Sequence, residues 1–88
     1  MRDEIVVMLL QFQIQFKSLH WQTTSEARHV AYGNLYGDLN ETIDEFVEVM
    51  MGKYGRYELP KEGANLKFFN LKDLEINSFL ESVVEFLI

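Results

Sequence analysis

Between Asp3 and Gln22 the apolar residues return at three- and four-residue steps. Ile5, Met8 or Leu9, Phe12, Phe16 and Leu19 trace one face of a 3.6-residue period, and Val6, Leu10 and Ile14 widen that stripe. Gln11, Gln13, Gln15 and Lys17 supply the polar remainder. The pattern predicts a first helix over 3–22, apolar around so much of its circumference that it needs contact on more than one side. Thr23 with Glu26 three residues on matches a capping box. A second helix is predicted from about 25 to about 52, with Tyr32, Leu35, Tyr36, Leu39, Ile43, Phe46, Val47 and Met50 on its apolar face and Gly52 and Gly55 closing it. So short a link forces the two helices into an antiparallel hairpin.

Residues 53–70 carry two glycines, Gly55 and Gly63, and the only proline, and read as a long connection with at most a short helical turn. Asn70 or Asp73 is a candidate start for a third helix over 71–88, with Leu71, Leu74, Phe79, Leu80, Val83, Val84 and Leu87 on its apolar side. That helix runs into Phe86, Leu87 and Ile88, an apolar end that calls for a partner or a further helix. The expectation is one all-α domain over 1–88: a helical hairpin plus a third helix. Trp21 is assigned to core or interface packing, Phe68 and Phe69 to anchoring the long connection, and Met8, Met50 and Met51 to filling the core, with a contact as the alternative for Met51.

Composition narrows the function classes. The chain has 88 residues, 48% of them hydrophobic, so it holds one small core. It has no cysteine, which removes disulfides, thiolate metal sites and cysteine nucleophiles. A formal charge of −6 disfavours binding to a nucleic-acid backbone. Neither a signal peptide nor a membrane span is indicated, and a cytoplasmic protein is expected.

The chemistry-bearing residues are His20, His29, Asp44 and Glu48: the only two histidines and two carboxylates one helical turn apart. Imidazole nitrogen with carboxylate oxygen is the donor set of iron, zinc and manganese sites. On a straight helix His29 and Asp44 stand roughly 22 Å apart, and metal–ligand bonds are only about 2 Å long. Within one chain the four therefore divide into a histidine pair at the hairpin turn and a carboxylate pair towards the other end. A twofold axis removes the conflict, because antiparallel second helices bring the histidines of one copy to the carboxylates of the other. Gly33 and Gly37, each about 20° from Asp44 in azimuth, would let two such helices approach closely. A plainer account treats the histidines as helix-end residues and Asp44 and Glu48, with Glu41 and Glu45, as a solvated acidic face. Glu26-Ala27-Arg28-His29 also matches the Glu-x-x-His of di-iron bundles, although it occurs once, at a helix start.

Leu19-His20-Trp21-Gln22, His29 and Asp44-Glu45-x-x-Glu48 together resemble the Dps miniferritins over roughly residues 5–52. In that family a His-Trp-Asn segment closes the first helix, a second histidine opens the next, and Asp-Glu-x-x-Glu follows at the same fifteen-residue step. The resemblance implies a ferritin-like bundle in which His20, His29, Asp44 and Glu48 are ferroxidase ligands shared between two subunits. Gln22 stands where the family has Asn, and the loop between the histidines is shorter. No Lys-rich tail is present to carry the family's DNA binding. A fourth helix is lacking or shared, so the chain also resembles the shorter ferritin-like proteins of viruses and phages. Two functions follow as expectations. One is iron binding, or binding of another divalent metal, with Fe(II) oxidation in a homodimer or higher homo-oligomer. The other is a metal-free helical interaction module on the same scaffold.

Overall fold

The computed structural model describes residues 2–87, and Met1 and Ile88, the ends of the expected domain, lie outside them. The described residues form an all-α chain: α1 (Arg2–Gln22), α2 (Glu26–Tyr54), a 3-10 turn (Leu71–Asp73) and α3 (Ile76–Leu87). The long dimension of 42 Å matches the roughly 43 Å length of a 29-residue helix, so α2 sets the size of the molecule.

α1 and α2 lie antiparallel. Val6, Leu9, Phe12, Phe16 and Leu19 are buried along α1, facing Tyr32 and Ile43 from α2. Burying a side chain the size of Phe16 or Leu19 contributes about 1.5–3 kcal/mol, and these two are the most deeply enclosed large residues. α3 crosses back along α1, with the Phe79 ring 5.3 Å from Phe16 and the Phe86 ring 5.3 Å from Phe12, edge-on or tilted as aromatic quadrupoles prefer. Val83 completes this core.

A third contact covers another side of α1. The Phe69 N–H donates to Gln15 Oε1 at 2.7 Å, and Gln15 Nε2 donates back to the Phe69 carbonyl at 2.8 Å. The Lys67 N–H donates to Gln11 Oε1 at 2.8 Å, and the Leu71 N–H to Gln22 Oε1 at 2.7 Å. Gln22 Nε2 also donates to Asn70 Oδ1 at 2.8 Å. An extended segment thus runs parallel to α1, tied at every second residue by a row of glutamine amides. Gln15 is only 2% exposed, and Gln13, also buried, donates to Asn40 Oδ1 across the hairpin at 3.0 Å. Buried amides are tolerated because their polar atoms have partners.

Several boundaries differ from expectation. The cap of α2 is Ser25, whose Oγ accepts from the Arg28 N–H at 3.2 Å, while Thr23 Oγ1 accepts from the Ser25 N–H. Gly52 stays inside α2, which continues to Tyr54. Gly55 ends it at φ 92°, a left-handed geometry suited to glycine, with its N–H on the Met51 carbonyl. The expected helix over 71–88 is broken, because Leu74 is extended. α3 starts after Glu75, whose carbonyl accepts from the Phe79 N–H and whose carboxylate accepts from the Ser78 N–H at 2.8 Å. Asn70 makes no side-chain cap bond. Phe68 and Phe69 are exposed, so the connection is anchored by its backbone rather than by those rings.

Candidate functional site

His20 sits in the last turn of α1 and His29 in the first turn of α2, so the three-residue link between the helices places them side by side. Their rings stack with centroids 3.8 Å apart and planes 20° from parallel. His20 Nδ1 lies 2.6 Å from the His29 carbonyl oxygen, and His29 Nδ1 lies 2.8 Å from the His20 carbonyl oxygen. A carbonyl only accepts, so each Nδ1 carries the hydrogen of its bond. In the neutral ring the remaining lone pair is then on Nε2. Fixing Nδ1–H against a carbonyl is the way proteins orient imidazoles that ligate through Nε2.

Gly33, one turn beyond His29, makes room for this pair. A Cβ there would lie 2.9 Å from His20 Cε1 and 3.0 Å from His20 Nδ1, closer than real Cβ contacts come. The expectation placed Gly33 between two copies of the chain, and within one chain it already has the task of admitting the His20 ring. Around Gly37 an added Cβ would meet nothing within 4 Å.

Asp44 and Glu48 are exposed on the far half of α2, beside exposed Glu41 and Glu45, while Ile43 between them is buried. The unbroken run of α2 from Glu26 to Tyr54 holds this acidic half away from the histidine pair. Among the described residues no three His, Asp or Glu side chains gather closely enough to hold a metal ion. The structure thus brings His20 and His29 together and leaves Asp44 and Glu48 apart from them. Trp21 is 70% exposed and does not belong to the chain's core, which corrects one of the two roles expected for it. Lys17 Nζ lies 5.3 Å from the Trp21 ring and 4.6 Å from the Tyr36 ring, an arrangement of cation on aromatic faces.

The sequence reading missed the glutamine row. Gln11, Gln15 and Gln22 recur at steps of four and seven on one face of an otherwise apolar helix. That spacing was a signal of a polar partner along the helix. Gln22, the departure from the miniferritin pattern, is part of this row.

Residues 20–87 match the Family of unknown function (DUF5856). This chain belongs to that family. The matched span begins at His20 and contains all four candidate ligands and the glutamine-bound segment. The DUF5856 chain is also 40% identical over 58 residues to the "Uncharacterized 14.6 kDa protein in mobD-ri intergenic region" of Enterobacteria phage T4. The aligned part is 66% of this chain and 45% of the phage protein, so the chain spans less than half the length of that relative. No solved structure matches the chain. No helix among the described residues is long and apolar enough to cross a membrane.

Proposed function

We propose that this DUF5856 chain is a ferritin-like metal-binding protein of the cytoplasm that binds and oxidises Fe(II) at sites shared between two copies. The observation that carries this reading is the His20–His29 pair, with both Nδ1 atoms committed to backbone carbonyls and both Nε2 atoms left as nitrogen donors. Two neutral imidazoles fit a borderline-soft divalent metal but leave its coordination incomplete. Asp44 and Glu48, one turn apart and exposed, are the oxygen donors that a second copy with an antiparallel α2 would bring. Fe(II) is the substrate and oxygen or peroxide the oxidant. The protein's residues hold the ion and neutralise its charge.

A mixing experiment tests the shared site. His29→Ala and Asp44→Ala proteins are each expected to bind Fe(II) weakly in anaerobic titration. Mixed and allowed to exchange protomers, they are expected to recover one intact site per mixed dimer, formed from the unaltered histidines of one chain and the unaltered carboxylates of the other. Wild type and His29→Ala binding Fe(II) equally and weakly would sink the proposal.

The reciprocal histidine bonds also support a second reading. They hold both rings in place through Nδ1 without a metal, as a clasp in a helical interaction module should. On that reading His20→Ala and Asp44→Ala reduce stability or assembly slightly, with no dependence on metal. A melting temperature that rises on adding Fe(II), Mn(II) or Zn(II) overturns it.

A further inference from the structure

The segment tied to α1 has two edges, and only one is used. The N–H groups of Lys67, Phe69 and Leu71 and the carbonyl of Phe69 face the glutamines. In an extended chain the backbone groups of alternate residues point to opposite sides. The N–H and C=O of Leu66 and Phe68, with the N–H of Asn70, therefore face away from α1, and none of them has a hydrogen-bond partner among the described residues. Asn70 is extended, with φ −66° and ψ 147°, and residues 64–70 are all exposed. A row of unpaired donors and acceptors at two-residue spacing is the template of a sheet edge. It is held straight by side-chain amides in place of a neighbouring strand.

We infer that residues 66–70 bind an extended acidic peptide by strand addition. The period of the outward groups calls for another extended backbone. Leu66 and Phe68, the latter 49% exposed, offer apolar contacts to its alternate side chains. Charge selects the sign. Five of the eight Lys and Arg residues fall between 53 and 72, against two glutamates, in a chain whose formal charge is −6. Lys61, Lys67 and Lys72 flank or lie within the edge, and all three are exposed. Lysines on an edge discourage pairing with a second copy of the same segment, and they attract a strand that carries carboxylates. The surface is separate from the outer face of α2, so it stands or falls independently of the shared metal site.

The test is an NMR titration of the full chain with an acetylated Glu-Val-Glu-Val-Glu-Val-Glu peptide and with its Lys-for-Glu counterpart. The acidic peptide is expected to give saturable shifts at the Leu66, Phe68 and Asn70 amides and to slow hydrogen exchange at Leu66 and Phe68. The Phe69 amide, already bonded to Gln15, should keep its protection. Phe68→Pro removes one outward N–H and leaves the inward ones in place, and should weaken binding about fivefold or more. Lys67→Glu combined with Lys72→Glu should weaken it comparably without touching any backbone bond, which keeps the inference testable should the proline variant misfold. Absence of saturable shifts up to about 1 mM peptide overturns the inference, as does equal binding of the basic peptide. Protection of Leu66 and Phe68 that grows with protein concentration alone also overturns it, and assigns the edge to a second copy.

Discussion

The two sides of α1 are held by different physics. Towards α2 and α3 it presents Phe12, Phe16 and Leu19 to a buried apolar core, where attraction is non-directional and grows with the area buried. Towards residues 67–71 it presents Gln11, Gln15 and Gln22, whose bonds are directional and each of modest net value. The first side tolerates an exchange of similar volumes. The second depends on an amide, whose separate donor and acceptor atoms answer the N–H and C=O of Phe69 together. One helix therefore carries a packed face that defines the fold and a polar face that positions a single segment.

That contrast breaks most severely at Phe16. Phe16→Ala is expected to cost about 3–5 kcal/mol, a large share of the stability of so small a domain, and urea unfolding should show it as a global loss. Gln15→Leu should cost less, about 1–3 kcal/mol for two hydrogen bonds. Its signature is local: hydrogen exchange should quicken at Phe69 while the amides of α1 and α2 keep their protection. Equal loosening of the whole molecule would show that the segment is part of the core's cooperative unit.

The glycines sharpen the picture at the turn. Gly37→Ala meets open space and should stabilise the chain by about 0.5–1 kcal/mol through helix propensity. Gly33→Ala should forfeit that gain and more, because its Cβ drives the His20 ring off the His29 carbonyl. The two variants should melt in opposite directions from wild type. On the shared-site proposal Gly37→Ala should also weaken association, seen as a stronger dependence of sedimentation on protein concentration.

The smallest effect belongs to α3. The Ser78 hydroxyl, followed by its backbone N–H, holds the Glu75 carboxyl below the usual carboxylate range. A carboxyl whose pKa is lowered by folding stabilises the fold above its unfolded value, and that contribution is lost as pH falls through the folded value. Glu75→Gln should therefore lower stability slightly near neutrality and remove a small part of the acid-side decline, measured by melting at pH 3–7.

Hydropathy made the packed side legible. The periods of Phe12, Phe16, Leu19, Tyr32 and Ile43 carried the hairpin and its core, because burial leaves a repeat in the sequence. The phase along α1 was less legible: Val6 and Leu9 are buried while Ile5 and Met8 keep more than a third of their surface exposed, since a wide apolar stripe does not state which edge turns inward. The break at Leu74 was hidden because the apolar pattern continues across it, and a carboxylate from Glu75 rather than Asn70 or Asp73 caps the helix. The histidine pair was legible as two residues flanking a turn. Its reciprocal bonding was not, since it depends on ring orientation and on the space that Gly33 provides. The glutamine row was the least legible, because an amide answering a backbone fifty-four residues away leaves no local pattern at its partner.

The same features set an order of assembly. The histidine contact spans nine residues, and a chain closes a loop of that size in about 10–100 ns. The Gln15–Phe69 bonds span fifty-four and must wait for a far costlier closure. The hairpin is thus the early event and the glutamine-bound segment a late arrival. Substitutions at Gln15 should speed unfolding and leave the folding rate nearly unchanged. As this chain emerges gradually from the ribosome, the hairpin is complete while the segment that fastens to it is still unmade.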